Sequence, residues 1–290
     1  MNKPETVAVI GGDLRYVYLA GALSEDGCRV LAVGFDNTDL PPCVAGCTDA
    51  AQAIALSDAV LLPMPVSADG KTVNAPFSRL CIPLEQVYAA VREGQPVCAG
   101  GVSEEIRAAF ERRHIAVWDY LEREELAVRN AVPTAEGAIQ LAMEELPVTI
   151  DGASCLIAGY GRIGKVLSRM LCALGAEVTV AARKCADRAW ATVHGCRAVH
   201  TEDIASLPSM DVVFNTVPTM LFDRRVLASL DRRTLLIDLA SRPGGVDFKA
   251  AAEQHLKTVW ALSLPGRVAP KTAAEIIKST VMNIWKEAGV

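Results

Sequence analysis

The chain has 290 residues, enough for two domains of roughly 100–150 residues each. Apolar residues make up 51%, charged residues 22% and aromatics 5%, which supports buried cores and excludes a disordered or collagen-like chain. A formal net charge of −5 provides no global basic field, so no nucleic-acid partner is expected.

Apolar stretches are strand-sized and interrupted by Gly, Pro or charge, short of the roughly 18 residues a membrane span needs, so no membrane partner is expected. The opening MNKPETVAVIGG runs straight into a β-like segment without a signal-peptide pattern, and a cytoplasmic location is the expectation. Nine cysteines, scattered singly and without a C-x-x-C pair, predict neither a disulfide framework nor a zinc site. No metal is expected.

In chain order, strands are predicted at Thr6–Ile10, Arg29–Val33, Ala59–Leu62, Pro96–Ala99 and Ile115–Trp118, with helices such as Leu14–Glu25 and Leu84–Glu93 between them. These runs do not alternate strictly, which suits strands covered on both faces of a parallel sheet. Pro63 to Ser78 is a long loop with three prolines and an Asp69-Gly70 turn signal, the pattern of a binding loop. A connecting helix is expected to start near Thr134 and end by Leu146. Further strands are expected at Ser154–Ala158, Glu177–Ala181, Arg197–Val199, Asp211–Asn215, Leu235–Asp238 and Val259–Leu262. A last helix, Thr272–Ala288, follows Pro270. The predicted class is α/β, with two doubly wound Rossmann-like domains, parallel sheets and a cleft between them. Residues 1–130 form the expected substrate and partner domain, completed by the returning C-terminal helix 271–290; residues 131–270 form the expected cofactor domain.

The strongest motif is Gly159-Tyr160-Gly161-Arg162-Ile163-Gly164, placed after one strand and opening a helix. The first Gly allows the tight turn, the second lets backbone approach a pyrophosphate, and the third lets helix pack on strand. Backbone N–H groups and the helix dipole favour the phosphate charge. At the end of the next strand, where an NAD site usually carries an acid, stand Ala181-Ala182-Arg183-Lys184. Small residues followed by two cations favour the 2′-phosphate of NADP(H), with NAD possible. The first half has a rival turn, Gly11-Gly12-Asp13; its carboxylate is a good helix cap and would repel a phosphate. Arg15 follows, as a surface arginine or one turned into a cleft.

Asn215-Thr216-Val217-Pro218, Asp238–Gly245 and Leu264–Thr272 fall at strand C-terminal ends, where doubly wound sheets bind ligands. The first segment and Ala240 are candidates for the ribose and nicotinamide, and Arg242 for a substrate carboxylate. His114, His194, His200 and His255 lie outside these segments and read as surface or helix-end residues.

Together, Ile10–Asp13 with Arg15, Leu62–Val66, Asp69–Ser78, Asn130–Ala138, the Gly159–Gly164 turn, Asp238–Gly245 and Leu264–Thr272 resemble the family of dipicolinate synthase A subunits of spore-forming bacteria. More distantly the arrangement is similar to the two-domain alanine and 2-hydroxy-acid dehydrogenases. The resemblance implies NADP-dependent oxidation of 4-hydroxy-tetrahydrodipicolinate to dipicolinate during sporulation, in the mother-cell cytoplasm. It also implies the flavoprotein-like B subunit of the synthase as partner, and a homo-oligomer is expected. Because that product is aromatic, a dedicated histidine base is dispensable. A substrate with two carboxylates needs cations or oriented N–H groups; Arg15, Lys71, Arg242 and Lys271 are the candidate cations, and Asp13 is a further candidate residue of the substrate site. Glu136, Thr134 and Ser241 are the catalytic candidates, Glu136 as proton acceptor or as a first-turn cap. The competing readings are an NADP-dependent 2-hydroxy-acid or amino-acid dehydrogenase, and a noncatalytic NADP-binding regulatory subunit.

Overall fold

Short aliphatic runs, apolar on both faces, become parallel strands because helices cover each side. The computed structural model describes residues 3–289; Met1, Asn2 and Val290, at the ends of the expected first domain, lie outside the described residues. In the first half these runs give β1 (Thr6–Ile10), α1 (Leu14–Glu25), β2 (Arg29–Val33), β3 (Ala45–Cys47), α2 (Ala50–Ala55), β4 (Ala59–Leu61), α3 (Leu84–Ala90), β5 (Val97–Ala99), α4 (Glu104–Glu111) and β6 (Val117–Asp119). A long helix follows, α5 (Glu124–Glu145). The second half gives β7 (Ser154–Ala158), α6 (Arg162–Ala173), β8 (Glu177–Ala181), α7 (Cys185–Val193), β9 (Arg197–Val199), β10 (Val212–Asn215), α8 (Arg224–Leu227), β11 (Leu235–Asp238), α9 (Phe248–Glu253) and β12 (Lys257–Trp260). The chain ends in α10 (Leu264–Val268) and α11 (Pro270–Ala288).

Two six-stranded parallel sheets result, ordered β3-β2-β1-β4-β5-β6 and β12-β11-β10-β7-β8-β9. Numbered within its own half, each reads 3-2-1-4-5-6, the doubly wound Rossmann order. The fold class is therefore an α/β pair of Rossmann-like folds. The chain divides into two units, Met1–Arg129 with Ala269–Val290, and Asn130–Val268. Each unit has an apolar core on both faces of its sheet. In the first unit, α11 returns to pack on α1, burying Ile277, Val281, Ile284 and Trp285. Among the described residues no helix is long and apolar enough to cross a membrane.

Several expected boundaries move. The connecting helix begins at Glu124, ten residues before Thr134, because Pro133 sits inside it rather than at its start. Proline leaves the Arg129 carbonyl without its helical donor, and the Thr134 hydroxyl turns back to the Asn130 carbonyl at 2.7 Å. Glu136 is therefore a mid-helix residue, not a first-turn cap. The strand expected at Val259–Leu262 is Lys257–Trp260, whose register is set by Leu235↔Lys257. The helix from Leu84 ends at Ala90 instead of Glu93. The short elements β3 and α2 were not anticipated, being too brief to show a period.

The end of α11 is tied into its unit by Arg123, whose guanidinium donates two bonds to Glu287 (2.7 and 2.8 Å) and one to Glu125 (2.9 Å). The guanidinium holds both carboxyl groups below the usual carboxylate range. A depressed folded pKa contributes stability above the ordinary pKa and loses it as pH falls through the folded value. The melting temperature of Arg123→Met should accordingly lie a few degrees below that of the unaltered chain near neutral pH. The gap, followed by circular dichroism, should narrow as the pH falls below the ordinary glutamate range. A gap independent of pH would assign the contribution to packing alone.

Candidate functional site

The Gly159–Gly164 turn stands where the strand order of the second sheet reverses, between the C-terminal ends of β7 and β10. Gly159 has φ +96°, which a side chain rarely adopts, and a Cβ there would strike the Thr216 hydroxyl. A Cβ at Gly164 would strike the Gly159 carbonyl, so α6 packs directly on the turn. At Gly161 the situation is opposite: nothing lies within 4 Å of the position a Cβ would take. Gly161 is also the N-cap of α6 and supplies no side-chain cap, so the first-turn amides of Ile163 and Gly164 have no capping oxygen from it. This combination fits a pyrophosphate, as the nicotinamide dinucleotides require.

Beside the turn is a cavity of about 330 Å³. Gly159, Tyr160, Ala182, Arg183, Lys184, Asp187 and Val217 all line it. Ala182 is buried, while Arg183 and Lys184 are exposed at the rim. Arg188 holds the strand end that carries them, donating to the carbonyls of Ala182 (2.9 Å) and Arg183 (2.6 Å). Tyr160 is nearly fully buried and its hydroxyl meets His194 Nδ1 at 2.8 Å; burial pushes the phenol above its ordinary value. Arg162 is exposed and Ile163 packs half-buried against the core. Asp187, which shares the cavity with the two cations, was not anticipated, nor was Arg188. Both lie in the first two turns of α7, where the motif ends and no spacing rule reaches.

Behind the cavity, Asn215 and Asp238 are fully buried and paired across β10 and β11. Asp238 accepts from Asn215 Nδ2 (2.8 Å), Ala240 N (3.0 Å) and Gly245 N (3.0 Å). Asn215 in turn brackets the Val217 backbone, and Thr216 donates to the Ala158 carbonyl. Two strand-end loops are thereby locked to one another. Ala240 is buried, and its carbonyl accepts from Trp260 Nε1 at 3.3 Å. Ser241 and Arg242 are exposed, with the Arg242 guanidinium 5.7 Å above the Trp260 ring. Pro218 is not among the residues lining the cavity.

Other candidates are placed elsewhere. Thr134 is half-buried within α5, and its hydroxyl is committed to the Asn130 carbonyl. Glu136 is exposed in a mostly apolar groove between α5 and α6, with Ile139, Met143, Met170 and Leu174, and is not among the residues around the Gly159 turn. In the first unit, Asp13 caps α1 and binds the Arg15 guanidinium at 2.7–3.1 Å. Arg15 is buried and also donates to the Met64 carbonyl, so it is not a surface arginine, and its charge is consumed locally. Lys71 and Lys271 are exposed. The Gly11-Gly12 turn is closed by its own chain, for the Gly12 amide donates to the Asn74 carbonyl at 2.8 Å. The four histidines sit at helix or turn ends, His194 capping α7 and His200 opening a 3-10 turn, while His114 and His255 have positive φ.

Two family models match the chain: the N-terminal domain of the dipicolinate synthase A subunit over residues 6–121, and the NAD-binding domain of D-isomer-specific 2-hydroxyacid dehydrogenases over residues 114–257. Over 97% of this chain and 96% of the relative, it is 35% identical to the dipicolinate synthase A subunit of Bacillus subtilis (strain 168). The crystal structure of the dipicolinate synthase A subunit from Bacillus halodurans superposes with a TM-score of 0.89 at 32% identity, covering 97% of each chain. That of the Bacillus subtilis A subunit gives 0.88 at 32% identity, covering 99% of this chain and 97% of that one.

The lock behind the cavity is open to a direct test. Asp238→Ala strips the acceptor from three buried donors, each costing about 1–3 kcal/mol when left unsatisfied. Urea denaturation followed by tryptophan fluorescence should show a loss of at least about 3 kcal/mol. A loss under about 1 kcal/mol would mean that water or a neighbouring group satisfies those donors.

Proposed function

This chain belongs to the dipicolinate synthase A-subunit family, and on that premise we propose that it oxidises 4-hydroxy-tetrahydrodipicolinate to dipicolinate with NADP⁺ as hydride acceptor. A dehydrogenase-type role rests on the NAD-binding family match across the second unit. The observation that carries the cofactor half of the proposal is the contrast among the three glycines. Two are walled in by their own fold, and Gly161 alone faces room for a phosphate.

The preference for NADP(H) rests on Arg183 and Lys184 at the cavity rim, where an NAD site would place a carboxylate on the strand end. Asp187 in the same cavity opposes them, leaving the trio a net single positive charge. Arg188 restrains the backbone of Arg183, so less freedom is lost when that guanidinium meets a phosphate. We assign residues 131–270 to the cofactor and residues 1–130 with 271–290 to substrate and partner.

When bound, the nicotinamide supplies the hydride acceptor. Over the whole reaction the substrate loses water, a hydride and a proton, and its ring ends aromatic. The chain then has to bind two carboxylates and orient one ring carbon. Arg242, Lys71 and Lys271 are the cations we assign to the carboxylates, with Ser241 as a polar group toward the ring; Thr134 is withdrawn because its hydroxyl is committed to the Asn130 carbonyl. Asp13 and Arg15 are withdrawn from this set because they neutralise each other. Glu136 is withdrawn as proton acceptor because it faces the α5–α6 groove. The proton released on oxidation is assigned to water. A second subunit of the synthase, flavoprotein-like, is the proposed partner, and the mother-cell cytoplasm of a sporulating bacterium the proposed location.

Gly161→Val should abolish NADPH binding in a fluorescence titration while the chain still folds cooperatively, since a Cβ at that position meets nothing within 4 Å. Arg183→Ala should weaken NADPH by about 1–3 kcal/mol and leave NADH nearly untouched. Normal NADPH affinity in both variants would place the dinucleotide elsewhere. For the substrate, Arg242→Ala and Lys71→Ala should each lower kcat/KM at least about tenfold with NADPH affinity retained. The assay follows NADPH and dipicolinate together in the presence of the partner subunit. Full activity in both variants would exclude these two cations from substrate binding.

A further inference from the structure

The first unit holds a cavity of about 480 Å³ that no part of the proposed reaction uses. Its place in the fold is the one the cofactor cavity has in the second unit. Both are lined by residues just past the second and third strands of their sheet, and by the segment that follows the fourth. In the second unit these are Ala182 to Lys184, Thr201, and Val217 with Thr219 to Leu221. In the first they are Gly34 and Asp36, Thr48, and Ser78 to Ile82. The chemistry at matching positions is opposite. Lys184 lies three residues past the end of β8, and Asp36 lies three residues past the end of β2. The strand-end position where a dinucleotide fold carries its ribose-binding acid is Ala182 in the second unit and Gly34 in the first, and Asp36 brings a carboxylate to the cavity two residues beyond it, able to accept from ribose hydroxyls.

The phosphate half of this site is closed. The Gly12 amide, which would face a phosphate, donates to the Asn74 carbonyl, and the side chain of Val73 fills the space over Gly11. The Asp13 carboxylate stands at the start of α1 and repels an anion. What survives is the nucleoside end alone. Val33, Leu80 and Ile82 offer apolar walls, and Asp36, Thr48, Arg79 and Gln86 offer polar groups, with Arg79 Nε donating to Asn37 Oδ1 at 2.7 Å. Asp36 Oδ2 is fixed by the Arg79 amide at 2.7 Å, which orients the carboxylate before any ligand arrives.

We propose that this cavity binds a neutral nucleoside, with Asp36 accepting from the ribose hydroxyls and the apolar walls enclosing the base. The site lies wholly in the first unit and is separate from the dinucleotide cavity of the second. Which substrate the enzyme oxidises has no bearing on it.

The test is calorimetric titration of adenosine into the full chain already saturated with NADPH, a state whose attainment is measured first. One further equivalent of adenosine should bind. Asp36→Ala should weaken it at least tenfold with NADPH affinity unchanged, and 2′,3′-dideoxyadenosine should bind the unaltered chain at least tenfold more weakly than adenosine. AMP should bind no tighter than adenosine, because the Gly12 amide is taken by Asn74, the Asp13 carboxylate repels its phosphate, and the Arg79 guanidinium is held to Asn37. If Asp36→Ala melts early, Asp36→Asn and the dideoxy probe carry the comparison. If NADPH does not saturate the chain, the same titrations on the free chain decide. The proposal is overturned by the absence of adenosine binding, by binding indifferent to both Asp36 and the ribose hydroxyls, or by AMP binding tenfold tighter than adenosine.

Discussion

A doubly wound sheet cannot close on itself where its strand order reverses. The first and fourth strands lie side by side there while their connections leave in opposite directions, and a crevice edged with backbone N–H groups is left at their C-terminal ends. Those donors must be satisfied by the chain, by water or by a ligand. This chain meets the constraint twice and answers it differently. In the first unit the segment after β4 folds back over the turn, its Asn74 carbonyl taking the Gly12 amide and its Met64 carbonyl taking Arg15. In the second unit the segment after β10 stays short, and the space in front of Gly161 is left clear. One fold thus closes its glycine turn in the first unit and leaves it clear in the second.

Keeping a crevice receptive asks more of the residues behind it. A ligand gains little from donors that must first be ordered, so the loops need an internal support. Asp238 is that support: three N–H donors, one from the end of β10 and two from the loop after β11, converge on one buried carboxylate. The arrangement holds because both carboxylate oxygens are engaged, and it would be costly if any donor were removed. Arg188 plays the same part on the other rim, committing its guanidinium to two carbonyls so that Arg183 is held without being used. The closed unit shows the alternative, in which Arg15 and Asp13 consume each other and leave nothing for an incoming anion.

Much of this was legible in the sequence, and what was not has physical causes. The strands at Thr6–Ile10, Arg29–Val33, Ser154–Ala158 and Glu177–Ala181 stand where their aliphatic runs stand, because a strand covered on both faces must be apolar throughout. The glycine turn was visible because three separate steric demands fall at fixed spacing. Helix α5 was misjudged at Pro133, where local grammar says stop but burial against the second unit's own core at Ala135 and Ala138 carries the helix through. Arg188 escaped notice, and Asp238 was marked only as the start of a strand-end ligand segment and not as its brace, for another reason. Each acts on backbone atoms that only the folded loop brings within reach, and no residue pattern encodes that. Arg15 could not be resolved from its sequence, since its fate depends on a carbonyl 49 residues away.

The fate of the arginines also ranks the cations available to a dicarboxylate. Arg242 lies over the Trp260 ring, an interaction that uses the face of the guanidinium and leaves its in-plane N–H donors for a carboxylate. Trp260 is itself anchored, stacked on Phe248 with ring centroids 5.3 Å apart and bonded to the Ala240 carbonyl. Through that carbonyl the chain of support runs back to Asp238, whose oxygen holds the Ala240 amide. Arg242 therefore stands on the same buried carboxylate that braces the loops behind the Gly159 cavity. Lys71 has no such footing: its backbone is fixed by the Asp69 turn, but its ammonium ends a four-carbon stem in solvent. Ordering a free lysine side chain costs up to about 2 kcal/mol of rotamer freedom, and a stacked arginine has surrendered part of that already. Of the cations proposed for the substrate, Arg242 is thus the one whose position the fold itself supports.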